Sequence, residues 1–173
     1  MTYHYSISAF IQAYNLQPGD VLIARKNQGI FQHFVVYLGH NGIHPVFVAN
    51  MRGTGVRYVP VNELVTLAKE YPVEKIRRFI GSAIARAQAV QRAVKAMSLQ
   101  AYHLLTSNCE HFANYVQTGK LYSSQSHNAA LGMATAGATM ALTSDNSAVQ
   151  FGGIVLLLLG GVVAIREEEN AKH

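Results

Sequence analysis

Apolar and polar positions change rhythm along this chain, and each rhythm predicts a different kind of element. Up to about residue 60, short apolar runs alternate with turn residues. Gln17-Pro18-Gly19-Asp20 is turn chemistry and leads into a strand over Val21 to Arg25. Asn27-Gln28-Gly29 turns the chain, and Phe31 to Leu38 has strand composition. Asn41-Gly42 between apolar runs is a hairpin signal, with His44 to Asn50 as the return strand and Val56 to Pro60 as the next. A slower period then takes over. Asn62 caps a helix to about Glu70, with Glu63 in its first turn, before a strand over Val73 to Ile80. Ser82 caps a long helix to Met97, with Ile84, Val90, Val94 and Met97 at core-facing spacing. A further helix starts at Asn108 or Cys109 and ends before Gly119, a good residue just past a helix end.

Beyond Ser123 to Asn128, where composition shifts most, alternation stops. Ala129 to Thr143 is mostly Ala, Gly, Met, Leu and Thr, small enough for close helix packing. After the turn Ser144-Asp145-Asn146-Ser147, Ala148 to Ile165 has Gln150 as its only polar side chain. As a helix that run reaches about 27 Å, close to the roughly 30 Å of a bilayer core. The pattern therefore predicts an α+β domain over residues 1–125 and a hydrophobic, membrane-associated tail over 126–173. The tail is either a single helical anchor, the simpler arrangement, or a helical hairpin.

Composition adjusts this picture little. The 173 residues are half apolar and 13% charged, with a net charge of +5. Lys75, Arg77, Arg78, Arg86, Arg92 and Lys95 hold much of the positive charge and predict a solvated helix face. No basic run interleaved with aromatics points to nucleic acid. Ser6 to Tyr14 lacks the basic start and cleavage site of a secretory signal. One cysteine excludes an internal disulfide framework and a cysteine-based zinc cluster. No histidine spacing argues for a metal site, and no cofactor is implied.

That cysteine, Cys109, sits in Ser107-Asn108-Cys109-Glu110-His111-Phe112 at the predicted helix start, where N–H groups and the helix dipole favour a thiolate. His33 is the best-placed base. If Asn41-Gly42 is a two-residue turn, His40 pairs with Ile43 and, stepping outward, His33 lies across from Asn50. His44 then opposes Gly39, about 20 Å from His33 at about 3.3 Å per residue. Cys109, His33 and Asn50 would supply nucleophile, base and base-orienting group, with His44 in reserve as the third residue. The plainer alternatives are a core thiol, a satisfied strand histidine and a turn asparagine. His111, two positions after Cys109 on a helix, faces away from it and reads as structural or as a supporting hydrogen-bond partner.

GDVLIARKNQGIFQHFVVYLG followed by YHLLTSNCEHFANYVQTGK resembles the lecithin:retinol acyltransferase family, within the circularly permuted papain-like, NlpC-type fold. The match runs from about Gln17 to Ser124, and its most specific block is Asn108-Cys109-Glu110-His111-Phe112. The resemblance implies a papain-like domain with a small antiparallel sheet and packed helices. It implies His33 as general base and Cys109 as the nucleophile of an acyl-thioester intermediate. The family's usual second histidine is missing, since Val46-Phe47-Val48-Ala49-Asn50 has apolar residues there, which leaves Asn50 as the substitute. Hydrophobic C-terminal anchors are common in the family.

The expected activity is a membrane-associated thiol acyltransferase or phospholipase A-type reaction on glycerophospholipid acyl esters. Its partners would be a phospholipid acyl donor, an acyl acceptor and the membrane, with the catalytic domain in the cytoplasm. A cysteine peptidase or amidase of NlpC type, or a non-catalytic membrane-tethered module, are the alternatives.

Overall fold

The structure, a computed structural model, describes residues 2–25, 32–51, 53–98 and 109–172, with the backbone alone at 2–6 and 98. The chain divides into two compact units, residues 1–119 and 120–173.

The first unit is an α+β domain built on one antiparallel sheet of five strands. In chain order it runs α1 (Thr2–Ala13), β1 (Val21–Arg25), β2 (Gln32–Asn41), β3 (His44–Met51), β4 (Gly55–Tyr58), α2 (Val61–Glu70), β5 (Val73–Arg77), α3 (Ala83–Ser98) and α4 (Cys109–Thr118). The strands lie in the order β4-β3-β2-β1-β5. Alternation along each strand gives the sheet two apolar faces. Val21, Ile23, Phe34, Val36 and Val48 face one core, closed by Ala89 and Ala93 of α3 and by Phe112, Ala113 and Val116 of α4. Leu22, Val35, Tyr37, Phe47 and Ala49 face the other, closed by Ile7 and Ile11 of α1 and Leu64 of α2. The helix α1 had no counterpart among the sequence expectations.

The hairpin register departs from expectation, and the departure reaches the site. Asn41 pairs with His44, so the turn residues are Gly42 and Ile43 rather than Asn41 and Gly42. Gly42 has φ +60°, and a glycine at the first central position is the mark of a type II′ turn, whereas the expected turn needs positive φ at both. A bulge between Tyr37 and Gly39 then shifts the pairing again, leaving Val36 opposite Val48. Gly39 sits at φ +100°, and a side chain there would press on Pro18.

In α3 the expected core face holds only at Met97, which packs against the core. Ile84 and Val94 are exposed, and Ala89, Ala93 and Ala96 are buried instead. Small side chains let α3 approach closely, and the arginines fix its rotation. Arg92 donates to the carbonyls of Tyr115, Val116 and Gln117 at the end of α4, and Arg86 donates to Pro18 O at 2.6 Å. The basic residues read as a solvated face are thus partly built into the fold. Asp20, 1% exposed, gathers two of them: Arg78 at 2.8 Å and Arg86 at 3.6 Å. It also accepts the Phe79 N–H at 2.9 Å, which diverts the chain after Arg77 and ends β5 short of the expected Ile80.

The second unit is a pair of antiparallel helices, α5 (Ser124–Thr143) and α6 (Ser147–Lys172). Ser123 caps α5 by accepting the Ser126 N–H at 3.1 Å. Of its two helices, α6 is long and apolar enough to cross a membrane.

Candidate active site

The thiol is positioned by the far end of its helix. Phe112, Ala113 and Val116 are wholly buried against Phe34, Val36 and Val48, which lays α4 across β2 and β3. Arg77 donates to the buried Asn114 Oδ1 at 2.7 Å, Gln117 donates to Gly19 O at 2.9 Å, and the Arg92 fork closes the helix C-terminus. A cation there also suits the helix dipole. With α4 so pinned, Cys109 starts the helix beside the first residue of β2, and its thiol donates to Gln32 O at 3.5 Å.

Burial pushes the Cys109 thiol above its usual range. The backbone N–H of Phe34 works against this, as do those of Cys109 and Glu110, while the Glu110 carboxylate adds to the rise. The sulfur thus rests as a thiol, with three backbone donors that would favour negative charge.

His33 follows Gln32, but its imidazole belongs to the other face of the sheet. It shares that face with Val35 and Tyr37 by alternation, and its ring centroid lies 6.2 Å from that of Tyr71, just past α2. Burial lowers its pKa and the Glu63 carboxylate on α2 raises it, with burial dominant, so the ring is neutral near pH 7. Nε2 is buried with no hydrogen-bond partner among the described residues. Glu63 is held by Arg57 through bonds of 2.6 and 2.9 Å. The structure therefore brings Cys109 to the backbone next to His33 but not to its imidazole.

Asn50 does not lie across from His33 as expected, because the shifted turn and the bulge change the hairpin register. Asn50 pairs with Val56 and, two residues from Val48, lies on the Cys109 face. His44 pairs with Asn41 at the turn, roughly 26 Å along the strand from His33 at about 3.3 Å per residue. Phe47, opposite Tyr37, lies on the His33 face of the sheet. His111 is buried in α4. Asn108, His103, Phe31 and the turn Asn27-Gln28-Gly29 lie outside the described residues.

Sequence reasoning missed Glu63 and Tyr71 as neighbours of His33. Glu63 had been noticed only as a helix-start acid, and the signal that could have found it is its place on the one helix directly connecting β4 and β5. Among the described residues, no group of three or more His, Cys, Asp and Glu side chains is placed to hold a metal ion.

A family model described as Lecithin retinol acyltransferase matches residues 14–122. No curated protein and no solved structure matches the chain. The matched stretch spans all five strands and α2 to α4, and includes both His33 and Cys109. Covering more than half of the chain, it shows that this protein belongs to the lecithin retinol acyltransferase family, a membership that suggests activity of acyltransferase or phospholipase type.

Proposed function

We propose that the protein is a membrane-associated thiol acyltransferase or phospholipase A-type enzyme that cleaves glycerophospholipid acyl esters. The observation that carries the reading is the place of Cys109 at the start of α4, against the backbone of Gln32, where the backbone N–H groups of Phe34, Cys109 and Glu110 favour negative charge on its sulfur. Donors preorganised around a nucleophile can also stabilise the oxyanion formed when it attacks a carbonyl.

In the proposed cycle the neutral His33 imidazole takes the thiol proton as sulfur bonds to the ester carbonyl carbon. The tetrahedral intermediate collapses by breaking the acyl C–O bond, and the proton passes from His33 to the leaving lysophospholipid oxygen. Water, an amine or an alcohol then attacks the thioester. Its proton goes to His33 and on to the departing sulfur, which restores the thiol. The reaction requires the imidazole to reach the thiol around the start of β2. Two features favour this: His33 is the second residue of the strand, and β2 is paired there with β1 alone, through Ala24, the β2–β3 pairing beginning at Val36. The strongly apolar α6 would hold the domain where acyl esters reside.

The test is intact-protein mass spectrometry of the full chain in detergent micelles after exposure to mixed phospholipids. A mass gain of one acyl group, mapped to Cys109, released by hydroxylamine and absent in Cys109→Ala, is expected. Undiminished acyl transfer by Cys109→Ala would overturn the mechanism. Acylation by a peptide amide, with none by lipid, would assign the thiol to amidase chemistry instead.

A further inference from the structure

The pair α5–α6 is built inside out for a protein in water. Its inner seam is glycine and alanine, whereas its large apolar side chains face outward. Ala130 and Gly137 of α5 and Gly153, Gly160 and Ala164 of α6 are buried. By contrast Leu142 is 85% exposed, Phe151 69%, Val162 66% and Leu158 63%. Burial in water would put the leucines and phenylalanine inside, because removing their large apolar surface from water is favourable. The reverse arrangement is what acyl chains favour: they solvate large apolar side chains and leave helix association to close packing of small residues.

The seam is close enough to be specific. A Cβ on Gly137 would sit 2.5 Å from Gly153 O, and one on Gly160 would sit 2.5 Å from Ala130 O. The polar groups on the outer surface tell the same story independently. Beyond Asn128, the hydroxyl-bearing residues of α5 are Thr135, Thr139 and Thr143, and each hydroxyl donates to the carbonyl four residues back, at 2.8, 3.0 and 2.8 Å. No hydroxyl on that stretch is left to need water. Charge is sorted to one end. Lys120 donates to Ala171 O and Glu167 accepts the Ser123 N–H, while Asp145 is the one charged residue of the connecting turn.

We infer that α5 and α6 enter the bilayer together as a helical hairpin, with lipid acyl chains covering the outward apolar surface. The segment from Arg166 then returns to the side of the membrane from which Lys120 enters. This goes beyond the membrane association in the proposed function and rests on it, because α5 alone falls short of a membrane span and a single-anchor reading would leave it in water. Its apolar stretch, residues 129–143, is about 22 Å long, so the hairpin is shorter than a typical core of about 30 Å and sits best in a thin or locally thinned bilayer.

The test uses full-length Cys109→Ala carrying one new cysteine, Lys69→Cys, Asp145→Cys or Glu169→Cys, bound to preformed phosphatidylcholine–phosphatidylglycerol vesicles and recovered by flotation. A membrane-impermeant maleimide is expected to label positions 69 and 169 at similar rates. It should label position 145 at least tenfold more slowly until detergent is added. Floated protein that labels at 145 and is protected at 169 would show α6 crossing alone and overturn the hairpin. Equal labelling of all three in floated protein would overturn insertion while leaving membrane binding intact. Protein that fails to float and elutes as an oligomer would show a second copy covering the apolar surface, and would defeat both the hairpin and the membrane reading.

Discussion

A resting Cys109 thiol has a measurable consequence for its reaction with small electrophiles. A free cysteine of pKa about 8.5 is roughly 3% thiolate at pH 7, and each further unit of upward shift divides that fraction by about ten. Cys109 is half-buried and its thiol donates to Gln32 O, and desolvation outweighs the three N–H groups that oppose it. Alkylation at pH 7 should therefore run at least about 30-fold below its high-pH limit. The assay is the rate of carbamidomethylation by iodoacetamide between pH 6 and 10, followed by intact mass on the folded chain in micelles. The rate should climb close to tenfold per pH unit up to pH 8 and beyond, because the group that must lose its proton titrates above its usual range. His33→Ala should leave the profile within about twofold, since Nε2 makes no hydrogen bond to the thiol. A plateau beginning below pH 8 and abolished by His33→Ala would refute this reasoning. It would mean that thiolate and imidazolium already form an ion pair at rest.

Other substitutions separate roles that the geometry keeps apart. His33→Ala should reduce acyl transfer from labelled phosphatidylcholine by about 10²–10⁴-fold, the usual contribution of a general base, with the fold retained by circular dichroism. Asn50→Ala should cost less than about tenfold in the same assay, because Asn50 and His33 lie on opposite faces of the sheet. A loss as large as that of His33→Ala would restore Asn50 as its partner. Phe112→Ala, at a wholly buried position under the thiol-bearing helix, should destabilise the protein by about 3–5 kcal/mol in urea titration. Asp20→Ala should cost about 3 kcal/mol by stranding the Phe79 N–H and loosening Arg78 and Arg86, and Asp20→Asn, which keeps one acceptor, should cost about half of that.

The hydrophobic rhythm made most strands and helices legible because Val21 to Arg25 and His44 to Asn50 carry β-rich runs between strong turn residues. The address of Cys109 at a helix start was equally plain. Face and register were not. A two-residue alternation reports that one side of β2 differs from the other, but Gly39 and Gly42 decide how the hairpin closes, and a bulge has no periodic signature. The core face of α3 was misread for a related reason: Ile84 and Val94 outweigh alanines on any apolar scale. The winning face is chosen by what Arg86 and Arg92 can reach across the fold. Asp20 shows the same blindness. Its turn position was visible, but not its partners some sixty residues away.

The clamp on α4 assigns the two reactive groups different mechanical roles. Arg77, Arg92 and Gln117 hold the helix from its middle to its last turn, whereas His33 stands near the end of a strand that is paired there with Ala24 of β1 alone and with β3 only three residues later. Any motion that unites sulfur and imidazole is therefore cheaper at β2 than at α4, which makes the nucleophile the stator and the base the moving part. Amide exchange would register the difference: the amides of Ala113 and Val116 should open only with global unfolding, and that of His33 through local fraying. Turnover would then be timed by a short stretch of strand rather than by the helix that carries the thiol.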